Sequence, residues 1–243
     1  IYYKLLRDKT LSISLSTFYK YVRILGLKRS WTKAHKKTKG IESSHPNQYL
    51  HVDTTYWELK SGVKAAIVFV SDNFSRAILG WEVALENRAE NVKTALQKAI
   101  LTIHQHHPEY ICPAILVADG GSENHAKTIN QLLQECDQPP IHKVIARKDI
   151  LFSNSPIEAF NKIVKRYLRH HKPETFEALL SLIPKITEDY MEQRPHGALK
   201  GLTPLECYTQ KSVSTDYKTQ IGQAKVIRIE KTEKPTVQSA VNG

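Results

Sequence analysis

An apolar run, AAIVFV at 65–70, is the feature that most limits how this chain can fold. The run is continuous rather than alternating, which is typical of a strand buried on both faces of a sheet. An alternating, strand-like segment at 49–59 precedes it, and a third strand-like segment at 77–85 follows closely enough for hairpins. The three segments predict an antiparallel meander that must be covered on both sides by other elements.

Helices and strands alternate after the meander. Helical periodicity predicts helices at 89–106, 127–136, 155–171 and 175–193, the last kinked or split at Pro184, and strands are predicted at 114–119 and 141–146. Strands that alternate with helices pair in parallel. The order therefore predicts an α/β fold in which a mixed five-stranded sheet is flanked by helices.

The segments outside this core have a different texture. Residues 1–27 are similar to a helix-turn-helix, with Ser16 as the predicted N-cap of the second helix and Gly26 just beyond its end. Residues 28–48 form a basic, aperiodic linker. The predicted core spans 49–210, and residues 211–243 are predicted to be a polar tail or small accessory module with one strand-like stretch, KVIRIE at 225–230.

The charge balance indicates the kind of partner. Lysine and arginine number 35 against 24 acidic residues, a net charge of +11 on 243 residues. A surplus this large on a folded chain is typical of proteins that bind a polyanion, most often nucleic acid. We expect Lys36 and Lys37 of the linker to contact phosphates.

Other features bear on location and completeness. No apolar run approaches the length of a membrane span, so a membrane partner is not expected. The three cysteines stand far apart in the sequence, which fits a reducing cytoplasm, and the charge fits association with the nucleoid. The chain begins at Ile1 and its one methionine is Met191, so we expect that a preceding segment is missing.

Three acidic residues are candidates for one shared metal site. Asp53 lies in the middle of the first predicted strand, Asp119 ends the fourth, and Glu158 opens the helix that follows the fifth. Carboxylates gathered without a positive partner repel one another, and a divalent metal relieves that repulsion. Two such ions are the usual device for displacement at phosphorus. Gly120 and Gly121 would leave room for a nucleic-acid backbone beside the site.

Each acid also has a structural interpretation. Asp53 is able to cap a turn beside two threonines, Asp119 to begin an Asp-Gly turn, and Glu158 to complete a capping box with Ser155. Three other acids compete for the same role: Asp72, Glu123 and Asp149.

The helix that carries Glu158 adds a basic stripe. Lys162, Lys165 and Arg169 follow Glu158 at steps of four, three and four, so all four share one face. Such a stripe suits a DNA strand that passes the metal site. A solvated helix face with a Glu158–Lys162 pair is the alternative.

Four stretches together carry a family resemblance: HVDTTYW, VADGGSEN, FSNSPIEAFNKIVKR and QRPHGALKGLTPLECY. The chain resembles the bacterial insertion-sequence DDE transposases, whose catalytic core is similar to that of retroviral integrases, over about residues 40–208. The resemblance implies a ribonuclease-H-like fold and identifies Asp53, Asp119 and Glu158 as the catalytic, metal-binding triad.

The resemblance also implies an activity. Such enzymes use Mg²⁺ or Mn²⁺, expected here as two ions per site, to cut DNA at the ends of a mobile element. They then join the freed 3′-hydroxyl to target DNA, and they work as multimers assembled on DNA. It implies that Lys162 and Lys165 face the element ends. We also expect Arg194 and His196 either to contact DNA or to cap helices.

Two features separate this chain from the common family pattern. Asp119 and Glu158 are 39 positions apart, which predicts a small insertion in ARKDILFSN, and only one helix-turn-helix is possible before the core. A nuclease of the same fold and a non-catalytic DNA-binding protein derived from a transposase are the alternative functions.

Overall fold

Five strands form one mixed sheet in the computed structural model, which describes residues 1–27, 41–121, 126–136, 138–146, 156–210 and 217–233. The strands are β1 (Tyr49–Glu58), β2 (Lys64–Asp72), β3 (Ile78–Ala84), β4 (Ala114–Ala118) and β5 (Ile141–Ile145). Their order in the sheet is β3-β2-β1-β4-β5. The pairs β1–β2 and β2–β3 are antiparallel, and β1–β4 and β4–β5 are parallel. The predicted mixed five-stranded sheet is confirmed.

The four helices predicted after the meander occur in the predicted order, and eight α-helices in all lie within the described residues. They are α1 (Tyr2–Arg7), α2 (Leu15–Ile24), α3 (Ala89–His106), α4 (Lys127–Glu135), α5 (Pro156–His171), α6 (Phe176–Glu188), α7 (Pro204–Tyr208) and α8 (Tyr217–Glu233). A π-helical turn, Asp189–Gln193, continues directly from α6.

The β2 strand is buried on both faces, as its continuous apolar run predicted. Every residue after Lys64 in β2 is buried. Alternate side chains enter two different hydrophobic clusters: Val68 and Val70 pack with residues of α3, while Ile67 and Phe69 pack with residues of α5 and α6. Because the side chains of a strand alternate between faces, one run of sequence builds both layers of the core.

A glycine sets the spacing between β3 and α3. A Cβ atom on Gly80 would lie 2.1 Å from the backbone oxygen of Ala95 and 2.7 Å from the backbone nitrogen of Ala99. The strand and the helix therefore touch through their backbones, which only glycine permits.

The α6 helix is not split at Pro184, one of the two predicted alternatives there. The α6 helix runs through Pro184 and ends at Glu188, where the π-helical turn begins. A proline costs one backbone hydrogen bond, but the buried side chains of Leu179, Ile183 and Ile186 hold α6 against the core on both sides of it. Tertiary packing therefore outweighs the local penalty.

The chain divides into two compact units: Ile1–Lys36 with Val213–Gly243, and Lys37–Ser212. In the first unit, Leu6 of α1 is buried and its backbone oxygen accepts a hydrogen bond from Gln220 of α8 at 3.1 Å. The predicted domain boundaries remain predictions, and so does the DNA-reading role of the first 27 residues. In the described part of the chain, no helix combines the length and the apolar character that crossing a bilayer requires.

Two local predictions in this unit are wrong. The N-cap of α2 is Ser14 rather than Ser16, because the Ser14 side chain accepts a hydrogen bond from the backbone nitrogen of Thr17 at 3.2 Å. The stretch KVIRIE is helical within α8 rather than a strand. A helix satisfies its own backbone groups, whereas an isolated strand would need a partner. Gly26 lies just beyond α2 with φ +66°, as predicted.

Candidate active site

Asp53 lies in the middle of β1, the central strand of the sheet. It pairs in register with Phe69 of β2, and β1 continues to Glu58, so the interpretation of Asp53 as a turn cap is wrong. The Asp53 side chain is partly buried. One carboxylate oxygen accepts a hydrogen bond from the backbone nitrogen of Thr54 at 3.0 Å. A strand interior disfavours aspartate, so its burial at this position has an energetic cost.

Asp119 lies beside Asp53 because of the parallel register. Val52 pairs with Ala118, the last residue of β4, so the next residues along the two strands are Asp53 and Asp119. Asp119 is exposed, and its carboxylate accepts a hydrogen bond from the backbone nitrogen of Gly121 at 3.2 Å. That contact is the turn predicted as the structural alternative, and it leaves the placement beside Asp53 unchanged.

The α5 helix supplies the third acid. Phe160 of α5 packs against Phe69 of β2 with ring centroids 4.8 Å apart and nearly perpendicular planes, which anchors the first turns of α5 on the sheet. Glu158 lies in the first helical turn and is partly buried, after Pro156 at the helix start. Ser155, the proposed partner in a capping box, lies outside the described residues.

The electrostatics of Asp53 connect the three acids. Burial raises the pKa of Asp53 to about 6, and repulsion from Asp119 is the next contribution. Glu158 raises the same pKa further, while the hydrogen bonds from Thr54 and Asn161 lower it. Charges interact in this way only at short range or through a poorly screened interior. The structure therefore brings the negative charges of Asp119 and Glu158 to bear on Asp53.

Glu158 has its own balance of charges. Burial raises the pKa of its carboxyl group, and the ammonium group of Lys162, one helical turn away, lowers it. The predicted Glu158–Lys162 interaction is thus present as an electrostatic one. This pair is only one of the interactions of Glu158, because the charge of Glu158 also raises the pKa of Asp53 in β1.

Asn161 is a site residue that the sequence interpretation missed. Its side-chain amide donates a hydrogen bond to the second carboxylate oxygen of Asp53 at 2.7 Å, and the residue is only 7% exposed. One feature of the sequence could have indicated this role: Asn161 follows Glu158 by three residues, so the two lie next to each other on the same side of the helix. A polar residue on the buried side of an amphipathic helix needs a partner, and here the partner is Asp53.

The competing acids divide into two groups. Asp72 is fully buried in a hydrogen-bond network in which the backbone nitrogen of Asn47 donates to one of its carboxylate oxygens at 2.9 Å and that of Ser75 to the other at 2.7 Å. Those donors explain Asp72 as part of the β2–β3 hairpin. Glu123 and Asp149 lie outside the described residues.

The five predicted DNA-binding residues that the structure describes lie in two places. Lys162, Lys165 and Arg169 are all exposed on α5, and Arg169 reaches a groove that Trp57 also lines. Arg194 and His196 instead line a cavity on another flank of α5. Two further predictions fall outside the described residues: the linker lysines, Lys36 and Lys37, and all but the first residue of the predicted insertion at 146–154.

The donor set fits a hard divalent cation by its chemistry. Asp53, Asp119 and Glu158 offer carboxylate oxygens only, and a cation would relieve both causes that raise the pKa of Asp53: first its burial, then repulsion from the other two acids. Within the described ranges, no three His, Cys, Asp or Glu side chains are close enough together to hold an ion in the present arrangement. Metal binding would therefore draw the carboxylates closer than they lie here.

Comparison with known proteins identifies the family of this core. Two family models, both described as an integrase core domain, match residues 43–145 and 152–204. The chain is 25% identical over 173 residues to a transposase-like protein of Haemophilus influenzae, covering 71% of this chain and 76% of the relative. It is 27% identical over 156 residues to a protein of insertion element IS136 of Agrobacterium fabrum, covering 63% of this chain and 78% of the relative.

Solved structures show the same architecture. The catalytic core domain of HTLV-2 integrase, in complex with magnesium, superimposes with a TM-score of 0.50 at 17% identity over 70% of this chain and 99% of that one. A chain of the simian T-cell lymphotropic virus intasome, in complex with a PP2A regulatory subunit, gives a TM-score of 0.55 at 14% identity over 85% and 73% of the two chains. The fold is ribonuclease-H-like, as predicted.

The mixed sheet and the matches to the integrase core domain models thus define an integrase-type core, the fold of a polynucleotidyl transferase family. Within that class, the chain belongs to the insertion-sequence transposases with an integrase-like catalytic core.

Proposed function

We propose that this protein cuts DNA at the ends of a mobile element and joins the freed 3′-hydroxyl to target DNA. The observation that supports the proposal is the effect of Asp119 and Glu158 on the pKa of Asp53. That effect couples acids from three elements electrostatically: β1, the end of β4 and α5. The family membership supports the same activity.

Two phosphoryl transfers make up the proposed reaction. In the first, water attacks phosphorus at the element end, a P–O bond breaks, and the 3′-hydroxyl leaves. In the second, that hydroxyl attacks a target phosphodiester and displaces a different 3′-hydroxyl, so bonds are conserved. Both steps need positioning and charge neutralisation rather than a protein nucleophile.

Asp53, Asp119 and Glu158 would hold two Mg²⁺ or Mn²⁺ ions. Bound there, the ions would neutralise charge that develops at phosphorus and help to activate the attacking oxygen. The protein's own part is to present ionised carboxylates: Asp53, with its pKa near 6, is mostly ionised at neutral pH, and Asn161 holds its carboxylate in one orientation. Lys162, Lys165 and Arg169 would hold the phosphate backbone along α5.

The partners follow from the reaction. Two element ends need two active sites, so we propose a homomultimer assembled on DNA, in the cytoplasm and associated with the nucleoid. The surplus of 35 basic over 24 acidic residues supports the DNA partner.

The test is a cutting and joining assay on labelled DNA that carries the element ends, in Mn²⁺, with wild type, Glu158→Gln and the control Glu188→Gln. Glu188 is exposed at the end of α6, away from the proposed site. We expect joined products from wild type and Glu188→Gln only, with equal melting temperatures for all three.

The other outcomes decide between functions. Cut but unjoined products favour a nuclease. DNA binding without any cleavage favours a non-catalytic protein. Equal activity of Glu158→Gln and wild type would reduce Glu158 to a helix-capping role.

A further inference from the structure

A cavity of about 480 Å³ lies beside α5, apart from the three acids. One wall is the face of α5 formed by Pro156, Ala159 and Ile163, which follow one another at steps of three and four. The opposite walls bring together two arginines, a histidine and a tyrosine: Arg76, Arg194, His196 and Tyr190. Of the lining residues that the structure describes, none is acidic.

Arg76 reaches the cavity from the hairpin between β2 and β3. Its φ is +67°, a left-handed conformation that costs energy in a residue with a side chain. The charge of the buried acid Asp72 raises the pKa of Arg76, but Asp72 takes its hydrogen bonds from Ser75 and Asn47. Burial lowers the pKa of the Arg76 guanidinium, so its positive charge is held at a cost.

Arg194 and His196 enter from the loop that follows the π-helical turn. Across this loop, the backbone nitrogen of His196 donates a hydrogen bond to the oxygen of Leu202 at 2.9 Å. The backbone oxygen of His196 accepts one from the nitrogen of Gly201, also at 2.9 Å. The loop backbone around His196 is therefore fixed. π-helical turns often occur at functional sites, and this one delivers Arg194 to the cavity.

The His196 ring has a defined position, but its hydrogen bonding is incomplete among the described residues. It packs edge-on against Tyr190 with ring centroids 4.9 Å apart, and its Nε2 atom is buried without a hydrogen-bond partner among the described residues. Buried ring nitrogens normally have partners. Burial, Arg194 and Arg76, in that order, lower the pKa of His196 to about 4, so at neutral pH the ring is uncharged.

These features describe one site for an anion. Both guanidinium groups lower the pKa of His196, and neither makes an ion pair with a carboxylate of the described chain. A bound oxyanion would pair with both guanidinium groups and accept a hydrogen bond from the imidazole. Arginine pairs suit phosphate because each planar fork presents parallel N–H donors.

We propose that Arg76, Arg194 and His196 bind one backbone phosphate of the DNA on which this protein acts. The identity of the ligand as DNA rests on the proposed function, whereas the anion site rests on the cavity itself. The position supports DNA over a free anion, because the same helix that walls the cavity carries exposed Lys162 and Lys165 on another face. A DNA strand that runs along α5 would thus be contacted by basic residues on two sides.

The experiment measures DNA affinity against salt concentration, without divalent metal, for wild type, Arg76→Gln, Arg194→Gln and the double variant. Arg88→Gln is the matched control, since Arg88 is exposed at the start of α3 and pairs with Glu86. Each lost phosphate contact lowers the slope of the salt dependence by about 1. We expect each single variant and the double variant to lower it by that same amount, because they share one phosphate.

Several results would overturn the proposal. Unchanged slopes in all three variants would remove the site, and a loss of about 2 in the double variant would mean two separate phosphates. Inorganic phosphate that raises the melting temperature of wild type but not of the variants, with DNA slopes unchanged, would assign the site to a free anion.

The two hypotheses fail in distinguishable ways. Wild-type cutting with unchanged variant slopes would end this inference alone, whereas a wild-type protein that neither binds nor cuts DNA would end the proposed function as well. Arg194→Gln keeps the test valid if Arg76→Gln fails to fold, because the two residues reach the cavity from different loops.

Discussion

Asn161 donates a hydrogen bond to Asp53 over 2.7 Å, and this contact joins α5 to the central strand of the sheet. The other oxygen of Asp53 accepts from the backbone of Thr54 at 3.0 Å. With one donor on each oxygen, the carboxylate has a fixed orientation. The two bonds also lower a pKa that burial and repulsion raise, so they favour the ionised form that a metal requires.

The first prediction concerns this bond. Asn161→Ala removes a donor from Asp53, so we expect DNA cutting in Mn²⁺ to fall by about 10- to 100-fold, with a higher Mn²⁺ concentration needed for half-maximal activity. The measurement is a Mn²⁺ titration of cutting. Asn130→Ala, an exposed change on α4, is the control. An unchanged Mn²⁺ dependence with a lower melting temperature would make Asn161 a packing residue only.

The second prediction concerns pH and stability. In metal-free protein the folded pKa of Asp53, about 6, exceeds its unfolded value, so the fold favours the protonated form. The folded state then binds more protons, and its stability falls as pH rises from the unfolded pKa through the folded one. We expect Asp53→Asn to raise the free energy of unfolding on the order of 2 kcal/mol at about pH 7.5, and not at about pH 3.

Urea unfolding in a metal chelator measures this difference. Added Mg²⁺ should then raise the melting temperature of wild type but not of Asp53→Asn, because a ligand stabilises only the state that binds it. A variant that is less stable than wild type at both pH values would contradict the assigned pKa.

The third prediction concerns the basic stripe. Lys162→Gln with Lys165→Gln should lower the slope of the salt dependence of DNA binding by about 2 and leave folding unchanged, since both side chains are exposed. Lys185→Gln, an exposed change on α6, is the control. A slope equal to that of wild type would return the stripe to a solvated helix face.

The fourth prediction concerns the contact between β3 and α3. Gly80→Ala places a Cβ 2.1 Å from the backbone of α3, so we expect a loss of about 3 kcal/mol in the free energy of unfolding. Gly120→Ala, which meets nothing within 4 Å, should change it by less than about 0.5 kcal/mol. Chemical denaturation of both variants gives the comparison. Equal stability would show that α3 moves aside without cost.

Much of the fold was predictable because the signals are local. The apolar run of β2 and the helical periodicity of α3 and α5 each fit one kind of element, and the chain order restricts how such elements pair. Pro184 and KVIRIE misled because local propensity favoured a break and a strand. Packing of α6 against the core decides the first, and the helical backbone of α8 decides the second.

The site was only partly predictable. An acid inside a strand is unusual, so the position of Asp53 made it a candidate, whereas Asp119 at a strand end became one only together with the other acids. Asn161 and Arg76 could not, because their roles depend on partners far away in the sequence. Asn161 and Asp53 are separated by 108 positions, and nothing in the residues around Arg76 indicates a cavity.

That separation has a consequence for synthesis. The polypeptide leaves the ribosome from its N-terminus, so β1 emerges long before α5. Until α5 is released, Asp53 has neither its amide donor nor Glu158 beside it. An unfinished polypeptide therefore lacks the complete acidic site, and the proposed DNA-cutting activity would begin only after α5 has left the ribosome.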